Sequence, residues 1–417
     1  MSRLSRRRLL QGAAVAAGTI SAGRYNYAVA QAGTFKIPVL MSLSGPLALV
    51  GTNAKIGAEI SAKLINQKGG VNGRQIELIF VDDKARPQDA VAAARDAIAQ
   101  GYTYISGSIL TSVLLAIQPI LTETKTVMTS AAGAGVNFTN ESFNRYTFPG
   151  LDNDFLRANA LAKLSAQKFP DLKHFHSIIS ESKPYIDSYT NFQYFAKKYY
   201  GAKAPKFSDP HIIKIGAGDF RNQISQLASS DVDAFYNFVV GTDGITLWQQ
   251  ARAFGLASKF KAVIDQTLDF AALKALKKNM PNNLWTQAGW WHGVHQDVEL
   301  SRDFYKEYVA QTGDAYPSGY MHYGAMCVIP LVEAVKASGG KTDSESIISA
   351  LERIKFTTMK GEHYFRKEDH MLLGMNDYVK VEGVDGDPGI KVVDALKIST
   401  VDLAPPPNPG KPFKLPT

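Results

Sequence analysis

Few residues in this chain have the types and spacing that chemistry requires. His292 and His295 form an H-x-x-H pair with Asp297 close behind, and His322 stands further on. Zinc would need convergent ligands, and a metalloprotease motif would need a glutamate that is absent here. Exposed or hydrogen-bonded histidines on a loop are expected instead. Asp82 and Asp83 could pass for an acid pair, but adjacent residues on a strand point to opposite faces, so no catalytic pairing is expected. Cys327 is the only cysteine, which excludes an intrachain disulfide and a thiolate metal cluster. Its apolar neighbours Ala325, Met326, Val328, Ile329 and Leu331 predict a buried helix residue and not a nucleophile. There is no G-x-S-x-G elbow, P-loop or dinucleotide fingerprint. What remains is binding chemistry. In Gly107-Ser108-Ile109-Leu110-Thr111-Ser112 a threonine hydroxyl lies at a helix start beside free N–H groups, a setting that suits an anion. An ordinary N-cap would use the same residue equally well.

Such residues need a framework, and segment 42–83 displays it most clearly. A strand end leads into a Ser44-Gly45-Pro46 turn, and a helix follows with Ala58, Ile60, Ala62, Leu64 and Ile65 on its apolar face. Gly69-Gly70 stops that helix, and a second strand, 76–81, runs into Asp82. The result is a strand–helix–strand unit whose first loop is rich in small residues and can approach a ligand closely. Alternation continues with strands at 34–42, 75–81, 104–106 and 126–130 and helices at 54–68, 87–100 and 112–124. A second set follows, with strands at 175–179, 210–215, 233–239 and 260–264 between helices at 186–200, 220–227 and 244–254. Segment 148–155 reads as a hinge crossing. The expected organisation is lobe 1 from 34–150 plus 284–372, with helices at 319–337 and 344–353, and lobe 2 from 151–283 plus 373–400. The last strands, 377–381 and 391–398, fall in lobe 2. The proline-rich tail 403–417 is expected to be extended.

A chain of 417 residues, 45% hydrophobic and 20% charged, can bury a large core and fits two domains better than one. Its formal charge of +8 misleads. Residues 1–30 hold five arginines (Arg3, Arg6, Arg7, Arg8, Arg24) and no acid, so removing them leaves +3 and no footprint for nucleic acid. That leader carries Ser5-Arg6-Arg7-Arg8-Leu9-Leu10, a small-residue apolar run too short to span a bilayer comfortably, and Ala28-Val29-Ala30 as a cleavage site. The pattern predicts twin-arginine export to the periplasm with cleavage after Ala30.

Gly69-Gly70-Val71-Asn72-Gly73-Arg74, Asp82-Asp83, Pro87-Gln88-Asp89-Ala90, Gln250-Ala251-Arg252 with Gly255-Leu256, and Arg366 with Asp369-His370 occur in order along the chain. Together they resemble the periplasmic solute-binding proteins of the leucine/isoleucine/valine-binding type over about residues 34–395. The resemblance implies an α/β type I periplasmic binding fold of two lobes, each a mainly parallel sheet flanked by helices, with the ligand cleft at the hinge. It implies a non-enzymatic monomer that passes a small-molecule ligand to the membrane permease of an ABC transporter and needs no cofactor or metal.

Carried over residue by residue, the resemblance places Thr111, beside Leu110, where a family serine binds the ligand carboxylate. It gives the carbonyl of Ala131 to the ammonium, while Gly133 replaces a family threonine and removes a hydroxyl. Val50, on the Gly45-Pro46 loop, and Val240 stand where tyrosines are frequent. Tyr185 matches an aromatic on the cleft rim. Asp265, aligned with a one-residue shift, could pair with an ammonium, although a turn-capping aspartate is the alternative. Trp290, Trp291, Tyr320 and Tyr323 could stack on a flat ligand or pack the hinge. An amino acid is the first expected ligand, and an aromatic or other hydrophobic carboxylate the second. A ligand-sensing module is the competing role.

Overall fold

The computed structural model describes residues 33–415; the leader, with its export motif and cleavage site, and the last two residues lie outside the described residues. Five strands, β1 (Thr34–Met41), β2 (Gln75–Asp82), β3 (Tyr104–Gly107), β4 (Val127–Ser130) and β5 (Thr147–Phe148), form a wholly parallel sheet in the order β2-β1-β3-β4-β5. Next along the chain come β6 (His174–Ser180), β7 (Lys206–Phe207), β8 (His211–Ile213), β9 (Ala234–Phe238), β10 (Ala262–Asp265) and β11 (Leu284–Gln287). A small antiparallel sheet follows, made of β12 (Lys355–Thr358), β13 (Gly361–Phe365) and β14 (Leu372–Leu373). The chain then returns as β15 (Met375–Gly383) and β16 (Ile390–Ser399) to complete the second sheet, ordered β16-β15-β11-β10-β9-β6-β7 with β8 also on β6.

The helices are α1 (Ala48–Gln67), α2 (Pro87–Ala99), α3 (Thr111–Thr124), α4 (Asp154–Lys168), α5 (Lys183–Tyr200), α6 (Arg221–Ser229), α7 (Thr242–Arg252), α8 (Leu256–Lys259), α9 (Phe270–Leu276), α10 (Glu299–Thr312), α11 (Met321–Ala337) and α12 (Ser344–Leu351). Parallel neighbours need crossover connections of one hand, which covers both faces of the first sheet; α1 packs on α11 and α2 on α3. The α1–α11 crossing is close because of two glycines. A Cβ on Gly57 would lie 2.0 Å from the Met321 carbonyl oxygen, and one on Gly324 would lie 1.7 Å from that of Ala54.

In the second sheet the period-two alternation of β9 divides the interior. Ala234, Tyr236 and Phe238 face a core shared with α4 and α5, while Phe235 joins a core on the other side with Trp248, Leu273 and Phe260. Segment 284–287, expected to begin the return to the first lobe, pairs with β10 and β15 in the second sheet. The return falls after Gln287: Trp290 is part of the first lobe's core. A parallel neighbour could complete the sheet only after β10, and short strands carry no local mark of which sheet they will join. Helix α1 begins at Ala48, so Val50 stands in its first turn and not on the preceding loop.

Candidate functional site

The two sheets present the loops after their strands to one another, and a cavity lies between them. It is partly open to solvent and lined by residues of both lobes. From the first lobe come Leu47, Val50, Ile109, Leu110, Thr111, Ala132 and Gly133. The second lobe contributes Asp154, Arg157, Tyr185, Phe238, Val240, Gln266 and Thr267, with Tyr320 and Tyr323 at the start of α11.

The first-lobe wall is built by a kink after β3. Gly107 has φ +102, with a hypothetical Cβ 1.9 Å from the Leu40 carbonyl oxygen, and Ser108 follows in the left-handed region at φ 60. Asp83 holds this kink: its Oδ2 accepts the Ser108 hydroxyl at 3.0 Å and its Oδ1 the Ser42 hydroxyl at 2.6 Å. Asp82 accepts from the Leu43 amide at 2.9 Å and from the Ser44 hydroxyl at 2.6 Å, so Asp82 pins the loop after β1 while Asp83 ties the end of β1 to the loop after β3. The chain then enters α3 with Leu110 at the N-cap and no side-chain cap hydrogen bond. Thr111 is therefore the first helical residue and not the cap, and the positive end of α3 opens on the cavity beside its hydroxyl.

The opposite wall centres on the first turn of α4. Asn153 caps that helix, accepting from the Leu156 amide at 3.1 Å. Asp154 and Arg157, three residues apart, then share a face. Both are buried, and Arg157 Nη1 lies 3.8 Å from Asp154 Oδ1. Arg157 Nε donates to Gln287 Oε1 at 2.5 Å, tying α4 to the end of β11. Gln266 Nε2 donates to Asp154 Oδ1 at 3.2 Å, and Gln266 Oε1 accepts the Ser188 hydroxyl at 2.9 Å. Burial pushes the Asp154 carboxyl up to about 8, opposed by Arg157 and reinforced by Asp152 and Asp187. Tyr185 stacks on Phe238 with ring centroids 4.3 Å apart, an aromatic ledge beside the polar group of Asp154, Arg157 and Gln266.

Of the residues singled out from the sequence, Val50, Leu110, Thr111, Gly133, Tyr185, Val240, Tyr320 and Tyr323 line this cavity. Ala131 does not; it is fully buried with its amide directed to the Gly107 carbonyl at 3.0 Å, and Ala132 is the neighbour that reaches the cavity. Asp265 does not either. It is fully buried and accepts from the Thr267 and Leu268 amides, each at 2.6 Å, and from Asn237 at 2.5 Å. It closes the turn after β10, and its neighbours Gln266 and Thr267 face the cavity instead. Trp290 is buried against Phe304 and bonds Ser301, while Trp291 stacks on Tyr316; neither lines the cavity. Asp154, Arg157, Gln266 and Thr267 were not foreseen. An acid and a base at i and i+3 just past the hinge segment were the available signal.

Other chemistry is accounted for. His295 bonds Asp377 at 2.7 Å and His292 stacks on Tyr305. Among the described residues no group of three or more His, Cys, Asp or Glu could hold a metal. Cys327 is buried in α11, and burial pushes its thiol up to about 12.

The comparisons agree with this architecture. A family model described as "Periplasmic binding protein" matches residues 34–387. The Leu/Ile/Val-binding protein of Escherichia coli (strain K12) is 26% identical over 254 residues, 60% of this chain and 66% of that relative, just under two thirds of its length. Among solved structures, the leucine-, isoleucine-, valine-, threonine- and alanine-binding protein of Brucella ovis, in a closed conformation, has a TM-score of 0.77 at 20% identity, covering 92% of this chain and all of that one. An ABC-transporter solute-binding protein of Rhodopseudomonas palustris BisB5, in complex with 3,4-dihydroxy benzoic acid, has a TM-score of 0.75 at 21% identity, covering 88% and 98%. Two parallel-sheet lobes with a small cavity between them and a family match across most of the length lead to one conclusion: the chain belongs to the periplasmic binding protein family and has its type I fold.

Proposed function

We propose that this protein is exported by the twin-arginine route, cleaved after Ala30, and works in the periplasm as a monomeric solute-binding protein. It captures a small organic carboxylate and delivers it to the permease of an ABC importer, without covalent chemistry. The observation that carries the reading is the cavity between the lobes, with the uncapped start of α3 and the Thr111 hydroxyl on one wall. A helix start offers N–H donors and positive potential, which suits a carboxylate. Val50, Leu110 and Val240 offer an apolar surface for the rest of the solute.

The first ligand class is an amino acid, as in the names of the E. coli and Brucella relatives. The second is an aromatic or other hydrophobic carboxylate, favoured by two observations: Gly133 supplies no hydroxyl for an ammonium, and the Tyr185–Phe238 ledge suits a flat ring. Isothermal titration of the mature protein with leucine, isoleucine, valine and phenylalanine, and separately with benzoate and its hydroxylated forms, decides between them. Micromolar or tighter binding confined to one panel rejects the other. Deleting the gene separates transport from sensing: lost uptake supports an importer component, whereas intact uptake with a lost regulatory response supports a sensor.

A further inference from the structure

The proline-rich tail is fastened to both lobes. After β16 a short turn, Val401–Leu403, sends it back over the molecule. Pro405, Pro406, Pro407, Pro409 and Pro412 fix φ and remove amide donors, so the segment stays extended and stiff. Arg366, whose Nε and Nη2 are held by Asp369 at 2.9 and 2.5 Å, donates from Nη1 to the Pro405 carbonyl at 2.6 Å. Further on, the Gly410 amide donates to the Asn140 carbonyl at 2.8 Å, and the Phe413 amide to Glu141 Oε2 at 3.1 Å. Those two partners lie in the first lobe's loop between β4 and β5. Phe138 of that loop packs in the first core, and Gln118 of α3 donates to its Ser142 carbonyl at 3.3 Å. Phe413 and Leu415 then pack against the second lobe's core, Phe413 meeting Phe155 edge-on with centroids 5.3 Å apart. Phe155 stands in the first turn of α4, the helix that brings Asp154 and Arg157 to the cavity.

We propose that segment 404–415 is a strap across the seam between the lobes, which favours their closed arrangement before any ligand arrives. The tail leaves the second lobe's edge strand β16, bonds to the first lobe through Gly410 and Phe413, and is anchored in the second lobe again by the Phe413 and Leu415 side chains. Swinging the lobes apart must break those two amide bonds or draw Phe413 off Phe155, because a stiff proline-rich segment has little slack to give. The loop it grips marks the seam: Val136 packs in the second lobe's core while Phe138 packs in the first. The arrangement so held is a closed one. The Tyr320 hydroxyl donates to the Thr267 carbonyl at 2.6 Å, and a Cβ on Gly241 would lie 2.8 Å from the Pro46 carbonyl oxygen. A few such contacts shift a population without locking it; one net hydrogen bond moves the equilibrium by about fivefold. The strap acts without a solute, so it stands apart from the question of which ligand is captured.

The test reads lobe separation in the mature protein, stripped of solute by partial unfolding and dialysis. Thr52 of α1 and Thr242 of α7 are exposed near the facing Pro46 and Gly241, so Thr52→Cys with Thr242→Cys takes a pair of spin labels. Cys327 is buried in α11 and stays unlabelled. Double electron–electron resonance should show a major short distance in the wild-type background. Deleting residues 404–417 should raise the long-distance fraction at least about threefold. If that deletion does not fold, Glu141→Ala combined with Gly410→Pro serves: it removes an acceptor and a donor that join the tail to the first lobe, and leaves Phe413 and Leu415 to dock. A tail that only stabilised the second lobe would lower the melting temperature and leave the distances unchanged, and that result would overturn the proposal. So would a shift toward the shorter distance, or a wild type found only at the longer one. None of these results bears on ligand capture, which calorimetric titration tests by itself.

Discussion

The Ser108 hydroxyl donates to Asp83 Oδ2 at 3.0 Å, and the other oxygen of the same carboxylate takes the Ser42 hydroxyl at 2.6 Å. One buried acid at the end of β2 thus joins the ends of β1 and β3, on either side of the entry to the cavity's first-lobe wall. It also holds Ser108 in the left-handed region, which a serine would otherwise avoid.

Asp83→Ala should therefore cost stability and binding together. Two buried hydrogen bonds to a carboxylate are worth about 3 kcal/mol. Urea unfolding should show a loss of that size, with weaker ligand binding because the Ser108–Thr111 segment loses its anchor. Asp82→Ala, at a more exposed site, should lose about 1 kcal/mol.

Thr111→Val separates binding from capping. Its hydroxyl is not the α3 cap, so the melting temperature should move by no more than about 1 °C, while ligand affinity falls roughly fivefold to tenfold, the equivalent of one hydrogen bond. A loss of stability matching the loss of affinity would assign the hydroxyl to the helix instead.

Gly241→Ala tests closure. Gly241 has φ +65, and a Cβ there would come within 2.8 Å of the Pro46 carbonyl oxygen across the mouth of the cavity. The extra methyl should keep the lobes from meeting fully and lower ligand affinity by about tenfold, a difference of about 1.4 kcal/mol. Small-angle scattering with saturating ligand should report a larger radius of gyration than for the wild type. An unchanged affinity would mean that this contact is not part of the bound state.

Asp154 should shape the pH dependence of the ligand-free fold. Its carboxyl is raised from an ordinary value near 3.8 to about 8, so between those limits the native state holds a proton that the unfolded state has lost. This contribution falls as pH rises through that window and dominates above about pH 6.5. Below that, His292, His322 and His363, which burial keeps neutral, give a slope of the opposite sign. Asp154→Asn should flatten the decline and raise the melting temperature at about pH 8. A smaller slope should remain below about pH 6 from Asp265, which burial raises to about 6. A wild-type protein whose melting temperature is flat from about pH 6.5 to about pH 8 would contradict this.

Much of the fold was legible because its signals are local. Alternating strands and amphipathic helices, Gly69-Gly70 as a helix stop, and the buried helix around Cys327 need only neighbours in sequence, and the observed elements lie close to those expected. The cavity-lining positions Thr111, Gly133, Tyr185 and Val240 were reachable because loops after parallel strands converge on one edge. The assignment to a strand end failed where one residue of phase mattered. Asp265 and Gln266 are adjacent, yet one closes a turn and the other faces the cavity, and only the paired sheet sets that phase.

The sequence by itself determined the repeated strand–helix order, the single inert cysteine and the small-residue loops, because periodicity and composition fix which face of each element is apolar. Tertiary structure decided what the loops enclose. Asp154 and Arg157 look like hinge-region surface charges until α4 packs against α5 and the end of β10, and Leu284–Gln287 looks like a lobe crossing until β10 pairs with it. Burial is a property of the assembled lobes, and it is burial that turns Asp154 from an ordinary carboxylate into an acid that keeps its proton far above the usual carboxylate range.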